Sequence, residues 1–183
     1  MNAALGYQPH WIREEFVDFI LQTIKPNLAW KRIVAEVTAT KSLCTDMVLL
    51  TLVPNHNFDL NQVKAGQSVL LSLKIEGVYQ QRSYSIVNVT AQGEIQLGVK
   101  VQGVVSNAVQ QLRIGDHVEI SQPQGEFVLH QGQQAALMMA SGSGITAIYS
   151  LLKQAIEQNL NEIHVLYFNR AEVFHQEILA LAE

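Results

Sequence analysis

Val78-Tyr79-Gln80-Gln81-Arg82-Ser83-Tyr84-Ser85-Ile86 follows the turn pair Glu76-Gly77 and alternates in character from one residue to the next. A period of two belongs to a β-strand, whose successive side chains leave opposite faces. Arg82 and Tyr84 then share one face, a guanidinium beside an aromatic ring, while Ser83 and Ser85 point the other way unless the strand kinks. An Arg and a Tyr so placed also make an ordinary cross-strand surface pair. The tetrapeptide therefore has to be read with its surroundings.

Outward from this run the same grammar recurs. Ile33, Ala35 and Val37 alternate with Arg32, Glu36 and Thr38, and similar short runs stand at Met47 to Val53, Ser68 to Ile75, Glu94 to Val101 and His117 to Gln122. Ala65-Gly66, Gln92-Gly93, Gly115-Asp116 and Pro123-Gln124-Gly125 supply the turns between them. Six short strands at hairpin spacing predict a closed antiparallel barrel, because closure removes the edges on which sheets aggregate. After Phe127 the pattern changes to an apolar run at Ala135 to Ala140, a glycine turn, a helix from Ile145 to about Gln158, a strand at Ile163 to Phe168 and a helix from about Glu172. Strand, helix, strand, helix opens a parallel α/β sheet with buried strands. The polar His130-Gln131-Gly132-Gln133-Gln134 divides the two parts. Ahead of the barrel, Ile12, Phe16, Phe19, Ile20 and Ile24 recur at the period of an amphipathic helix that Pro26 ends. The expected organisation is a helical segment over 1–29, a β-barrel over 30–130 and an α/β part over 131–183.

Bulk composition narrows the function. A chain of 183 residues, 48% apolar and 15% charged, is a globular protein and not a disordered one. A net charge of -4 gives no basic face for nucleic acid. Cys44 is the single cysteine, so neither an internal disulfide nor a four-thiolate iron-sulfur cluster can form, and the six histidines lack paired ligand spacing; no metal is expected. No apolar run reaches the ~18 residues of a membrane span and no signal-peptide pattern opens the chain, which predicts a cytoplasmic address.

Two glycine turns complete the reading. Gly103-Val104-Val105-Ser106-Asn107 leads into a short predicted helix, Ser106 to about Leu112, with Ser106 placed to cap it. Amides at a helix start can hold an anion, and Ser106 would serve equally as a plain cap. Gly142-Ser143-Gly144-Ile145-Thr146-Ala147 stands between a buried strand and a helix, the setting of a dinucleotide phosphate turn, although the third glycine of the dinucleotide fingerprint is missing. A ligand-free strand-to-helix turn would look the same. A flavin nucleotide needs both stacking and positive charge, a flat ring at one end and a dianionic pyrophosphate at the other. Arg82 and Tyr84 offer that pair.

Taken together and in this order, Arg82-x-Tyr84-Ser85, Gly103-x-x-Ser106 and Gly142-x-Gly144-Ile145-Thr146 resemble the ferredoxin-NADP reductase superfamily over about residues 30–183. The resemblance implies a six-stranded Greek-key FAD-binding barrel followed by an NAD(P)H-binding α/β domain. It implies that Arg82 contacts the FAD pyrophosphate, that Tyr84 packs on the isoalloxazine and that Ser85 lies near flavin N5, with Tyr84 and Ser85 the catalytic pair and Ser83 in the same motif. Val99, Lys100, Gly103, Val104, Val105, Ser106 and Asn107 would hold the FAD phosphates, and Gly142, Gly144, Ile145 and Thr146 the nicotinamide nucleotide. Gln102 stands where a second glycine is common and Ala147 where the family has Pro. Asn169-Arg170, at the end of the second α/β strand, falls where the adenosine ribose is read. An arginine there can accept the extra phosphate of NADP, which favours NADPH over NADH, or can simply neutralise Glu172 or Glu177.

The activity implied is electron transfer from NAD(P)H through FAD to a one-electron acceptor. The nearest likeness is to reductases that carry a carboxy-terminal plant-type [2Fe-2S] domain and serve oxygenases or fatty-acid desaturases, so a ferredoxin or iron-sulfur centre is the expected partner. The sequence holds only two strands of an α/β domain that uses five or so in the family. It therefore reads as truncated, with half of the nicotinamide site missing and an apolar sheet edge open to self-association. An FAD-binding module without NAD(P)H turnover is the alternative.

Overall fold

In a computed structural model the described residues are 31–130, 132, 134–170 and 173–181; the segment 10–24 expected to be helical lies outside them. Six strands close a barrel: β1 (Ile33–Cys44), β2 (Met47–Pro54), β3 (Ser68–Ile75), β4 (Val78–Val89), β5 (Ile95–Lys100) and β6 (His117–Ile120), in the order β1-β2-β5-β4-β3-β6. Every described pairing in it is antiparallel. Alternation fills the interior. Val37, Leu50, Leu52, Val69, Leu71, Ile95, Leu97 and Val99 are all fully buried and form one cluster with Val105 and Val109 of the helix α1 (Val104–Gln110). Burial of that apolar surface, at about 25 cal/mol per Å2, is the main term holding the barrel.

The strands stand where alternation places them, with two differences. β1 runs on to Cys44 through bulges at Val37/Ala39 and Ser42/Cys44, which break the strict alternation beyond Thr38. β4 likewise continues to Val89 past a bulge at Ile86/Asn88. Alternation carries Ile86 into the barrel core and Val87 into a second cluster outside it, and past the extra residue Val89 packs on the barrel core again.

The second cluster belongs to the α/β part. β7 (Ala135–Ser141) pairs in parallel with β8 (Glu162–Phe168), and between them runs α2 (Ile145–Glu157) after a 3-10 turn at Gly142–Gly144. Ile145, Ile148, Leu151, Leu152 and Ala155 bury one stripe of α2 against Met138 and Ala140 of β7 and against Met47 and Val87 of the barrel. The last helix, α3 (His175–Ala180), starts three residues later than expected. Phe174 ahead of it sits in the left-handed region, φ 58°, a conformation no helix continues through.

Candidate active site

On β4 the register settles the orientation of the key tetrapeptide. Arg82 lies opposite Leu71 and Tyr84 opposite Val69, both fully buried, so Arg82 and Tyr84 do share the inward face. They stand at the barrel rim. Tyr84 is partly buried against the core cluster, whereas Arg82 is exposed and donates to the Gln81 carbonyl at 2.7 Å. Burial raises the Tyr84 phenol above its ordinary pKa, and the neighbouring Arg82 charge partly offsets this. Ser83 faces the other side, where its hydroxyl donates to Ser68 at 2.9 Å, and Ser85 pairs with Ser68 across the ladder.

Among the described residues the stretch Val78–Ser85 has β3 along one edge only, because β5 pairs with β4 from Ile86 to Val89. An unpaired strand edge is ordinarily blunted or covered. Here eight residues of backbone beside a guanidinium and a half-buried ring are left for something else, and an extended nucleotide with a flat ring and a pyrophosphate fits that combination.

Next to it, α1 closes the barrel end against β3, β4 and β5. It begins at Val104, two residues before the expected Ser106, with Gly103 in the capping position. Ser106 is buried and works from inside the first turn: its Oγ accepts from the Gln102 and Gly103 amides, each at 3.0 Å, and donates to the Gly103 carbonyl at 3.0 Å. That hydroxyl is used up in shaping the turn. Val105 faces the core, as does Val99 on β5, so each can offer a ligand only its backbone; Val104 is exposed. Asn107 presents its side chain to solvent, while its backbone N–H is spent on the Gly103 carbonyl.

The second glycine turn meets the barrel directly. Thr146, two residues into α2, is buried; its hydroxyl donates to the Ser143 carbonyl at 2.8 Å and its methyl lies on Gly98 of β5. A Cβ on Gly98 would overlap Thr146 Cγ2 and come within 3.2 Å of Val87. Glycine is thus what lets α2 approach the strand beside Val87, two residues past Ser85. One and two turns along the same stripe, Ser150 Oγ accepts from the Gly66 amide at 3.0 Å and Lys153 Nζ donates to Asn88 Oδ1 at 2.7 Å. Of these seam residues only Thr146 belongs to a motif, and there it was expected to meet the nucleotide; its methyl instead packs on Gly98 and its hydroxyl is bonded to Ser143. Only an isolated glycine within a strand run, Gly98, hinted at close approach.

Between the two parts lies a cleft of about 410 Å3, lined by Asp46, Lys100, Ser141, Gly142, Phe168, Asn169 and Arg170. It opens at the carboxyl ends of β7 and β8, where parallel sheets receive ligands. Lys100 pairs with Asp46 at 3.7 Å, and its ammonium sits 3.7 Å from the point where Gly142 would carry a Cβ. Lys100, expected among the flavin residues, is thereby placed at the Gly142–Gly144 turn. Gly144 faces open space, and Ile145 is fully buried, leaving its backbone alone to the cleft. Among the described residues no group of three or more His, Cys, Asp or Glu could hold a metal, and no helix is long and apolar enough to cross a membrane.

A closed antiparallel barrel with an open, Arg- and Tyr-bearing strand edge, joined to a parallel βαβ unit across a cleft, is the architecture of a flavin-binding barrel followed by part of an α/β domain. Residues 34–129 match the oxidoreductase FAD-binding domain, and the chain belongs to that family. It is 32% identical over 125 residues to the flavohemoprotein of Bacillus subtilis (strain 168), covering 66% of this chain and 31% of that protein. Among solved structures, it resembles the flavohem-like FAD/NAD binding domain of nitric oxide dioxygenase from Vibrio cholerae O1 biovar El Tor, with a TM-score of 0.72 at 21% identity over 81% of this chain and 68% of that one. Phthalate dioxygenase reductase, described as transferring electrons from pyridine nucleotides to [2Fe-2S], superposes with a TM-score of 0.65 at 21% identity, over 80% of this chain and 47% of that one. The chain spans about a third of the length of the flavohemoprotein it matches.

Proposed function

We propose that the chain is an FAD-dependent oxidoreductase unit that takes electrons from NAD(P)H and hands them singly to an acceptor such as a ferredoxin or a [2Fe-2S] centre. FAD, when bound, supplies the hydride acceptance and the one-electron release. The protein's part is placement. Arg82 offers a charge-assisted contact to pyrophosphate, Tyr84 a half-buried ring for the isoalloxazine, and the Gly103 turn its backbone amides. Lys100 and Arg170 give the cleft the positive charge a nicotinamide nucleotide needs. The observation that carries the reading is the seating of Thr146 on Gly98, which brings the Gly142–Gly144 turn up to β5, the neighbour of the strand that holds Ser85.

The reading of an FAD-binding module without turnover is favoured by one observation. Leu137, Met139, Leu166 and Phe168 leave a face of the β7–β8 sheet exposed, although parallel strands normally have both faces covered. A single experiment separates the two. The purified protein is expected to be yellow, and in a stopped-flow mix with NADPH under anaerobic conditions a working reductase bleaches the bound flavin. Persisting flavin absorbance assigns the binding module, and colourless protein with no affinity for added FAD refutes both.

A further inference from the structure

α2 turns two faces to the rest of the molecule. One is the apolar stripe packed on β7. The other, Thr146, Ser150, Lys153, Gln154 and Glu157 at helical spacing, is polar and lies along the barrel. Its first polar groups are matched one by one. The Thr146 hydroxyl donates to the Ser143 carbonyl, the Ser150 hydroxyl donates to the Ala147 carbonyl while accepting from the Gly66 amide, and the Lys153 ammonium donates to Asn88 Oδ1. Gln154 breaks the series: its Oε1 is buried, and no donor among the described residues reaches it. Buried acceptors are ordinarily hydrogen-bonded, so this orphan marks a place where the donor comes from elsewhere. Lys153 is matched only in part. Its two partners, Asn88 Oδ1 at 2.7 Å and the Tyr149 ring centre at 4.9 Å, are neutral, and burial pulls its pKa below the ordinary value against the opposing influence of Glu157. Both side chains border a pocket of about 190 Å3 between α2, the loop ahead of β3 and the end of β4. Val63 and Val89 form its apolar wall, and Glu157 stands exposed on its rim. The pocket shares no lining residue with the cleft at Lys100 or with the stretch Val78–Ser85.

We propose that this pocket binds a small free α-amino acid with an apolar side chain: its carboxylate meets the Lys153 ammonium, its own ammonium meets Gln154 Oε1 and Glu157, and its side chain lies against Val63 and Val89. Charge and size select that class. Lys153 and Glu157, one turn apart on the same stripe, offer a cation and an anion together, and the orphaned Gln154 oxygen adds an acceptor beside the anion. A zwitterion answers all three. An inorganic phosphate would be repelled by Glu157 and would leave the apolar wall bare, and a plain carboxylic acid brings no donor to Gln154. At about 190 Å3 the pocket is also below the ~300 Å3 from which drug-sized ligands are taken, so a nucleotide is too large for it. The site stands whether or not the flavin reading does.

The test is calorimetric titration of the purified protein with L-valine, beside the hydroxy acid of the same carbon skeleton, isovalerate, which has no donor at that carbon, and inorganic phosphate. Saturable binding of valine is expected, with the hydroxy acid and isovalerate weaker by about tenfold or more, as for the loss of one charged hydrogen bond. Lys153→Met and Gln154→Leu should each weaken valine binding by about tenfold or more for the same reason. Gln154→Leu also removes the orphaned acceptor at nearly constant volume, so the ligand-free variant should have a thermal midpoint at or above that of the parent, which separates lost binding from lost folding. Valine bound equally well by Gln154→Leu places the ligand elsewhere and overturns the assignment. Isovalerate or the hydroxy acid binding as tightly as valine, or phosphate doing so, overturns the amino-acid class. Absence of saturable binding by every probe at millimolar concentration leaves the pocket to water and overturns the proposal altogether.

Discussion

Arg82 and Tyr84 sit two residues apart on one face, yet their environments assign them different work. Arg82 is exposed and donates to its neighbour's neutral carbonyl, so its charge remains available to an anion. Arg82→Ala should weaken FAD binding by about ten- to a hundredfold, the worth of one charge-assisted contact to phosphate, measured as flavin retained through gel filtration and by titration of the apoprotein. Tyr84 reports on pH instead. Its phenol is raised above 10.0 by burial, so the neutral form is the one the fold favours. The corresponding stability is present below pH 10 and is lost as the pH climbs through the raised value. Denaturant midpoints of the apoprotein should therefore fall in that alkaline window, and Tyr84→Phe should make the fall shallower. Because the Arg82 charge partly offsets the shift, Arg82→Ala should push the phenol's ionisation higher still, as followed by tyrosinate absorbance. An unmoved titration in that variant would separate the two side chains.

At the scale of elements, strands were legible because a closed barrel enforces a strict inside and outside: at Val69, Leu71, Leu97 and Val99 burial tracks alternation. Where a bulge intervenes, as at Ile86/Asn88, the periodic signal ends and the strand does not. The helix start at Val104 was misplaced by two residues for a related reason. Ser106 bonds back to the turn from the third helical position, which in sequence is indistinguishable from a cap. Arg82, Tyr84 and the glycine turns were readable because each offers local chemistry. The seam of Gly98, Thr146, Ser150, Asn88 and Lys153 was not, since it exists only once α2 lies on the barrel. That seam makes its own prediction. Gly98→Ala drives a methyl into buried Thr146, so stability should fall by about 1–3 kcal/mol, the usual cost of overpacking. Thr146→Ser removes the methyl and keeps the hydroxyl bonded to Ser143, so the double variant should recover much of the loss in a urea titration. Additive losses would mean that the clash lies elsewhere.

For the molecule as a whole, the two parts differ in how completely they are covered. The barrel's apolar side chains converge on one interior, and among the described residues β4 has a partner on one side only along the proposed flavin stretch. The α/β sheet has only one face against α2. On the other, Leu137 is 62% exposed, Met139 63%, Leu166 45% and Phe168 64%, and β7 pairs with β8 along one edge only among the described residues. Four large apolar side chains on one flat face, beside an open strand edge, form a contiguous patch that water does not tolerate cheaply. The expected consequence is self-association through this face, in which each copy covers the other's sheet. Sedimentation velocity over a range of concentrations should show a mass that grows with loading, and a paired Leu137→Glu, Met139→Glu variant should sediment as a monomer at every concentration. Those two positions lie away from Arg82, Tyr84 and the Gly103 turn, so flavin content should be the same in the variant and the parent. A parent protein that stays monomeric throughout, with flavin bound, would show that the exposed face is tolerated in water and that the barrel alone governs the molecule's behaviour in solution.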